Sequence, residues 1–342
     1  MRADPELQVT GPHLQENSQA GIEWLRNCTI ALICNDAGLL DFAQPGTFTG
    51  FRIVFNEYEQ PRYLADPDAL ADRYIAALGG RKPSCVVGLN ERYGYLEKWG
   101  GGLREHVACM RQFVKRMHAY GVAVAGYSFA SGSPDEEDWR YLADQNFGDV
   151  DYIDQHGYNG LGGPSQSQWV ARRIEIVRQW IGHDHPPFVA FEAGRDAIEQ
   201  EGAKDLPGWK LQNVTAEQYL AEIKEQDRWI RTFPRNVFIG QTIFSFSRWW
   251  EEFDASPLVP MMRWEDGVPA IEIPSKPSGG GTMPQYEYIL GFKEYAEKHP
   301  EIGKPTSPLM YDANGTAVQY TEKGMLHWNK ASNQTLFFRA SQ

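Results

Sequence analysis

The chain has 342 residues and a formal net charge of -12. At this size about three quarters of the unfolded surface can be buried on folding, so a large core forms without disulfides or metals. The acidic balance, with no dense Lys/Arg run, excludes phosphate-backbone recognition as a main role, and no segment reaches the ~18 apolar residues of a membrane span.

Eight short apolar runs follow in chain order: Leu7–Thr10, Thr29–Cys34, Phe51–Phe55, Cys85–Leu89, Val122–Tyr127, Val150–Asp154, Phe188–Phe191 and Phe238–Phe244. Continuous rather than alternating apolar runs mark strands covered on both faces. Amphipathic stretches lie between them. Pro67–Leu78 puts Leu70, Tyr74 and Leu78 on one helix face, and Arg104–Tyr120 does the same with Val107, Met110, Phe113, Val114 and Met117. Gln166–Ile181 and Thr215–Thr232 behave alike, and Thr215 with Gln218 forms a capping box. The Gly/Pro-rich connection Ala37–Thr49 predicts a degenerate helix, and Tyr286–Lys298 a final helix that closes the ring. Eight β-then-α units predict a (β/α)8 TIM barrel over residues 1–299. Ser275–Thr282 reads as a mobile loop, and past Pro300 the helical period gives way to short apolar runs between glycines and prolines. Residues 300–342 therefore read as a small β-rich appendage.

Cys28, Cys34, Cys85 and Cys109 show no metal-ligand spacing. Cys28 and Cys34 fall about 20 Å apart on one extended strand, too far to bridge, so all four read as buried thiols. The run His183-Asp184-His185 precedes the seventh strand, on the barrel's stability face, and reads as a solvated loop rather than a metal site. No metal and no cofactor is expected. The N-terminus carries no apolar signal core, and the compartment and oligomeric state are left open.

Barrel active sites lie at the C-terminal strand ends. Here those ends carry His13, Asn35, Asp36, Asn56, Glu57, Asn90, Glu91, Tyr127, Ser128, His156, Tyr158, Glu192, Ser245, Ser247, Arg248, Trp249 and Trp250. Amide, carboxylate, imidazole and aromatic groups with few lysines suit a carbohydrate pocket. Glycoside hydrolysis needs two carboxyl groups, and two apolar strands end abruptly in Glu91 and Glu192.

The runs GLNE (Gly88–Glu91) on the fourth strand and FEAG (Phe191–Gly194) on the seventh resemble clan A of the glycoside hydrolases. Gln155-His156-Gly157-Tyr158 resembles that clan's His-x-Tyr, and FSFSRWW (Phe244–Trp250) its sugar-stacking Trp. The resemblance implies a retaining hydrolase of β-linked oligo- or polysaccharide, with Glu91 as acid/base and Glu192 as nucleophile. It implies Asn90 on the 2-hydroxyl, Tyr158 orienting Glu192, and Trp249 or Trp250 stacking on a sugar ring, with His156 and Tyr127 as further substrate contacts. The clan's supporting Arg would be Arg52, which falls near the start of the third run. Asn56-Glu57 is a second Asn-Glu pair and the rival to Glu91 as acid/base, but it falls one unit too early and 135 residues from Glu192, and is read as a substrate contact. The tail, with Gly303–Pro308 and Val318–Tyr320, resembles repeats appended to bacterial wall enzymes. A wall-lytic glycosidase is thus one alternative and a non-catalytic sugar-binding barrel another.

Overall fold

A computed structural model describes residues 1–56, 58–91, 102–159, 172–196, 208–271, 291–304, 310–311, 317–321, 323–329 and 334–339. The chain divides into two compact units, Met1–Pro274 and Ser275–Gln342.

The first unit is a closed parallel barrel. Its strands are β1 (Thr10–Leu14), β2 (Ile30–Cys34), β3 (Phe48–Arg52), β4 (Cys85–Val87), β5 (Ala123–Phe129), β6 (Tyr152–Gln155, continued by Gly157–Asn159), β7 (Phe188–Arg195) and β8 (Phe238–Phe246). Each pairs in parallel with the next, and β8 returns to β1 with Gln241 opposite Thr10 and Ile243 opposite Pro12. The outer layer holds α1 (Gln19–Leu25), α2 (Gln60–Ala65), α3 (Pro67–Leu78), α4 (Leu103–Tyr120), α5 (Glu136–Asp144), α6 (Ile174–Ile181) and α7 (Ala216–Ile230). The second connection is a 3-10 turn, Ala37–Phe42, where the Gly/Pro content predicted a degenerate helix. At α7 the capping box forms as expected: Thr215 Oγ1 accepts from the Gln218 N–H at 3.2 Å, and Gln218 Oε1 from the Thr215 N–H at 2.9 Å.

Two apolar layers hold the barrel. One cluster fills its interior, with Ile30, Leu32, Phe48, Cys85, Val87, Ala125, Val189, Phe191 and Ile239. The other lies between strands and helices, with Ile33, Phe51, Leu70, Tyr74, Val86, Met110, Phe113, Trp139 and Ile223. Alternate residues of each strand supply the two layers, as the period of two requires. Gly50 of β3 is dictated by this packing: a Cβ there would come within 2.5 Å of the Phe191 ring.

Strands β1 and β3 differ from expectation. β1 begins where the apolar run ends, and β3 runs Phe48–Arg52 rather than Phe51–Phe55. Inward polar side chains at His13 and Arg52 break the apolar pattern of these strands, and Thr10 turns outward to bond Asp227 of α7 at 2.8 Å, although all three are buried. Val54, inside the predicted run, is half exposed in the loop. His183 and His185 are partly buried rather than solvated: His183 Nδ1 faces Arg178 at 2.8 Å and the His185 ring packs edge-on against Phe188.

The second unit contains α8 (Gly291–Lys298) and an antiparallel sheet β9 (Met310–Tyr311), β10 (Ala317–Thr321), β11 (Gly324–Asn329) and β12 (Gln334–Arg339) in sequential order. Phe292, Ile302 and Leu326 form its small core. The tail is β-rich as read, but the boundary falls at 274/275 instead of 299/300. Helix α8 buries its Phe292 with Leu326 of β11, so it belongs with the sheet rather than closing the ring. The predicted Ser275–Thr282 loop lies outside the described residues. No described helix is long and apolar enough to cross a membrane.

Candidate active site

Polar side chains replace the apolar filling at the C-terminal end of the barrel. Arg52 is the last residue of β3 and points inward, in step with Phe48 and Gly50. It was expected near the start of its strand; the shift of β3 puts it in the pocket instead. Glu192 lies in the middle of β7. Between the pairs Gln241–Ala190 and Ile243–Ala193, β7 carries one residue more than β8. This bulge lets Phe191 and Glu192 both face inward, since a strict alternation would send Glu192 to the helices.

The Arg52 guanidinium donates through Nη1 to Glu192 Oε1, and through Nη2 to Asp154 Oδ2 at 2.9 Å and Ser128 Oγ at 3.3 Å. Asp154, fully buried on β6, also accepts from Ser128 Oγ at 2.7 Å and from the Phe191 N–H at 3.0 Å. Asp154 thus fixes both Arg52 and the β7 backbone next to Glu192. It escaped the sequence reading because it closes an apolar run. The alternation Tyr152, Asp154, His156, Tyr158 was the signal that it faces inward.

Tyr158 donates its hydroxyl to Glu192 Oε2 at 3.0 Å. His156 Nδ1 lies 2.9 Å from Glu91 Oε1 and 3.6 Å from Glu192 Oε2. Glu91 follows β4 in a left-handed backbone conformation, φ 45°, anchored by its N–H on the Ser128 carbonyl at 3.0 Å. One oxygen of Glu91, one of Glu192 and a nitrogen of His156 all lie within 4.8 Å of one another. Below them His13 Nε2 meets Cys34 Sγ at 3.3 Å.

Charge divides these groups. Burial alone would raise the Glu192 carboxyl, but His156, Arg52, His13 and the Tyr158 hydroxyl outweigh it and hold the group at about 2. Burial alone would lower His156, yet Glu192, Glu91 and Asp154 keep it above its ordinary value. Burial pushes His13 down to about 3, so it is neutral. Near neutral pH the floor therefore holds an ionised Glu192, and the nearby carboxylates shift His156 toward its charged form. The spacing of Glu91, His156 and Glu192 is one that a metal ion could bridge. Arg52 and Tyr158, however, already engage both oxygens of Glu192, and a cation there would meet the fixed guanidinium charge.

The remaining expected residues divide. Asn90 is beside Glu91, and its buried Oδ1 has no hydrogen-bond partner among the described residues. Trp249 and Trp250 are 75% and 45% exposed, free to present a flat face. Trp250 meets Phe244 edge-on at 5.9 Å, and Phe244 in turn meets Tyr158 and His13. Tyr127 does not join the pocket. It stacks on Phe129 and meets His106 of α4 in the strand–helix layer. Tyr127 and Ser128 both have positive φ, and the β5–β6 register shifts there, so Ser128 turns inward in place of Tyr127. Asn56 is exposed in the turn before α2, its N–H bonded to Glu59 Oε2 at 3.2 Å. Glu57 lies outside the described residues.

No protein-family model matches the chain, and no curated protein does. Solved structures with a similar fold include a GH128 (subgroup I) endo-beta-1,3-glucanase from Amycolatopsis mediterranei, at 12% identity and TM-score 0.47, over 74% of this chain and 99% of that one. A curdlan-specific exo-beta-1,3-glucanase from Blastomyces gilchristii is similar at 11% identity and TM-score 0.43, over 75% and 99%. A thermostable mutant of a xylanase from Cellvibrio japonicus is similar at 11% identity and TM-score 0.45, over 75% and 97%.

Proposed function

We propose that this chain is a retaining glycoside hydrolase acting on β-linked oligo- or polysaccharide, with Glu192 as nucleophile and Glu91 as acid/base. The observation that carries the reading is the pair itself. An ionised, buried Glu192 has an oxygen within 4.8 Å of one from the less buried Glu91. Retaining enzymes hold their carboxyl groups about 5–5.5 Å apart, whereas inverting ones leave about 6.5–9.5 Å for a water.

In this mechanism Glu192 attacks the anomeric carbon as the bond to the leaving oxygen breaks. Glu91, held by His156, gives that oxygen a proton. A water then gives its proton to Glu91 and its oxygen to the anomeric carbon, and Glu192 leaves as a carboxylate. Tyr158 and Arg52 aim the Glu192 oxygens throughout. Asn90 offers an unpaired amide oxygen beside the acid/base for a sugar hydroxyl.

Proton NMR of the first product formed from a β-linked substrate tests this reading. Retention supports it. An α-anomer as the initial product requires inversion and removes Glu192 as nucleophile. No turnover on a broad panel of aryl glycosides and polysaccharides would favour the sugar-binding barrel.

A further inference from the structure

A second cleft opens on the same face of the barrel, beyond the ends of β8 and β1. Its volume is about 380 Å³, at the small end of the range for ligand clefts, and Glu16, Lys210, Ser247, Arg248, Glu251 and Asp254 line it. Its composition is unlike the catalytic floor: nothing large and apolar lines it, and both charge signs are present.

Most of these charges are already matched. Lys210 Nζ donates to Asp254 Oδ2 at 3.0 Å, and Arg248 Nε lies 3.4 Å from Glu16 Oε2. Three carboxylates against two cations leave the lining at about minus one. An anionic ligand would meet net repulsion and cations that are already paired. Hydrogen-bonding capacity remains, however. The Glu251 carboxylate has no partner among the described residues, and neither do the two Nη groups of Arg248, whose guanidinium lies 5.1 Å from the Trp249 ring centre. Lys210 keeps further donors. Donors of Arg248 and Lys210 beside the acceptors of Glu251 suit the paired donor and acceptor character of vicinal hydroxyl groups.

The cleft lies on the turn that follows β8, close in the chain to a residue that packs at the candidate active site. Ser247 is three residues beyond Phe244, at most roughly 10 Å of extended chain, and Phe244 packs against Tyr158. Exposed Trp249 and Trp250 stand on the same turn.

We infer that this cleft is a distal subsite for an uncharged, hydroxyl-rich sugar unit of the chain that the catalytic pair cleaves. It rests on the glycosidase reading and narrows it to neutral oligosaccharides longer than the bond being cut.

The test compares wild type with Glu251→Ala and Arg248→Ala on xylohexaose, cellohexaose and laminarihexaose and on the matching aryl monoglycosides. Both side chains are exposed, so unchanged melting temperatures are expected. For the hexasaccharide that wild type cleaves best, the ratio of its kcat/KM to that of the monoglycoside falls at least fivefold in either variant, through KM. An unchanged ratio overturns the subsite, as does faster cleavage of an oligogalacturonate than of every neutral hexasaccharide. Calorimetric titration of Glu192→Gln with the same hexasaccharides separates the two claims. Binding weakened by Glu251→Ala, in a protein whose wild type cleaves nothing, retains the sugar site and removes the hydrolase. Absence of both binding and cleavage removes both.

Discussion

The Arg52 guanidinium and the Glu192 carboxylate form an ion pair inside the barrel, across 140 residues of sequence, with Asp154 on the guanidinium's other side. With His156, the Arg52 charge keeps Glu192 well below the usual carboxylate range.

Replacing Arg52 by Met leaves Glu192 and Asp154 buried without their shared cation. Breaking a buried pair in this way costs roughly 3–5 kcal/mol, so the denaturant midpoint falls sharply. The variant also loses a group that depresses Glu192. The acid limb of the kcat/KM profile therefore moves to higher pH, because the proposed mechanism needs Glu192 ionised to attack. Arg52→Lys keeps the charge but not the two-sided grip, and it falls between. An acid limb unmoved in Arg52→Met contradicts the pairing.

Tyr158→Phe removes the hydroxyl that donates to Glu192 at 3.0 Å. A hydrogen bond to a charged group contributes about 1.5–3 kcal/mol. The expected loss in kcat is about ten- to hundredfold, with KM little changed and the fold intact by circular dichroism. A variant as active as wild type would mean that the contact does not orient the reacting carboxylate.

Stability should respond to pH through two buried acids of opposite sense. Glu192 is held down at about 2, so its contribution is present above its ordinary value of 4.5 and is lost as pH falls from there toward 2. Asp227 of α7 behaves oppositely. Burial outweighs its bonds to the Val9 N–H at 2.9 Å and Thr10 Oγ1 at 2.8 Å, and lifts it from 3.8 to about 6. Its contribution is complete below 3.8 and is lost as pH rises through about 6. Asp227→Asn should thus gain on wild type at pH 7 relative to pH 4, read from urea midpoints at both values. An identical difference between the two proteins at both pH values rejects the assignment.

Glu91, Glu192, His156 and Tyr158 were legible because each lies just past the end of an apolar run. The eight-unit order was legible for the same reason, since strands covered on both faces are apolar throughout. Two short helices, α1 and α5, left too little period to read. The placing of Arg52 and Asp154 was missed for one cause. Apolar runs locate strands but not their ends, and inward polar residues are apolar positions in disguise. Tyr127 and Glu192 sit at bulges, where one extra residue reverses which side chain faces the pocket. No local residue pattern announces that reversal. The start of the second unit was missed because α8 has the amphipathic period of a barrel helix while its apolar face belongs to another core.

All four cysteines are free and buried. Burial lifts Cys34 and Cys109 to about 12, far from the thiolate that reacts. Native protein should therefore resist a thiol reagent that labels all four sites after unfolding, and its melting temperature should be the same with and without reductant. Rapid labelling of the native state, or a large drop with reductant, contradicts the packing.

The central claim is that Glu192 becomes covalently bonded to the sugar. Incubation with an activated 2-fluoro sugar of β configuration, followed by peptide mass mapping, tests it most directly. The fluorine destabilises the oxocarbenium-like transition state, while the good leaving group still permits attack, so the intermediate accumulates. The account predicts one added fluorosugar on the peptide containing Glu192, formed also by Glu91→Ala and absent in Glu192→Gln. A label on any other carboxylate, or a label that persists in Glu192→Gln, would contradict it.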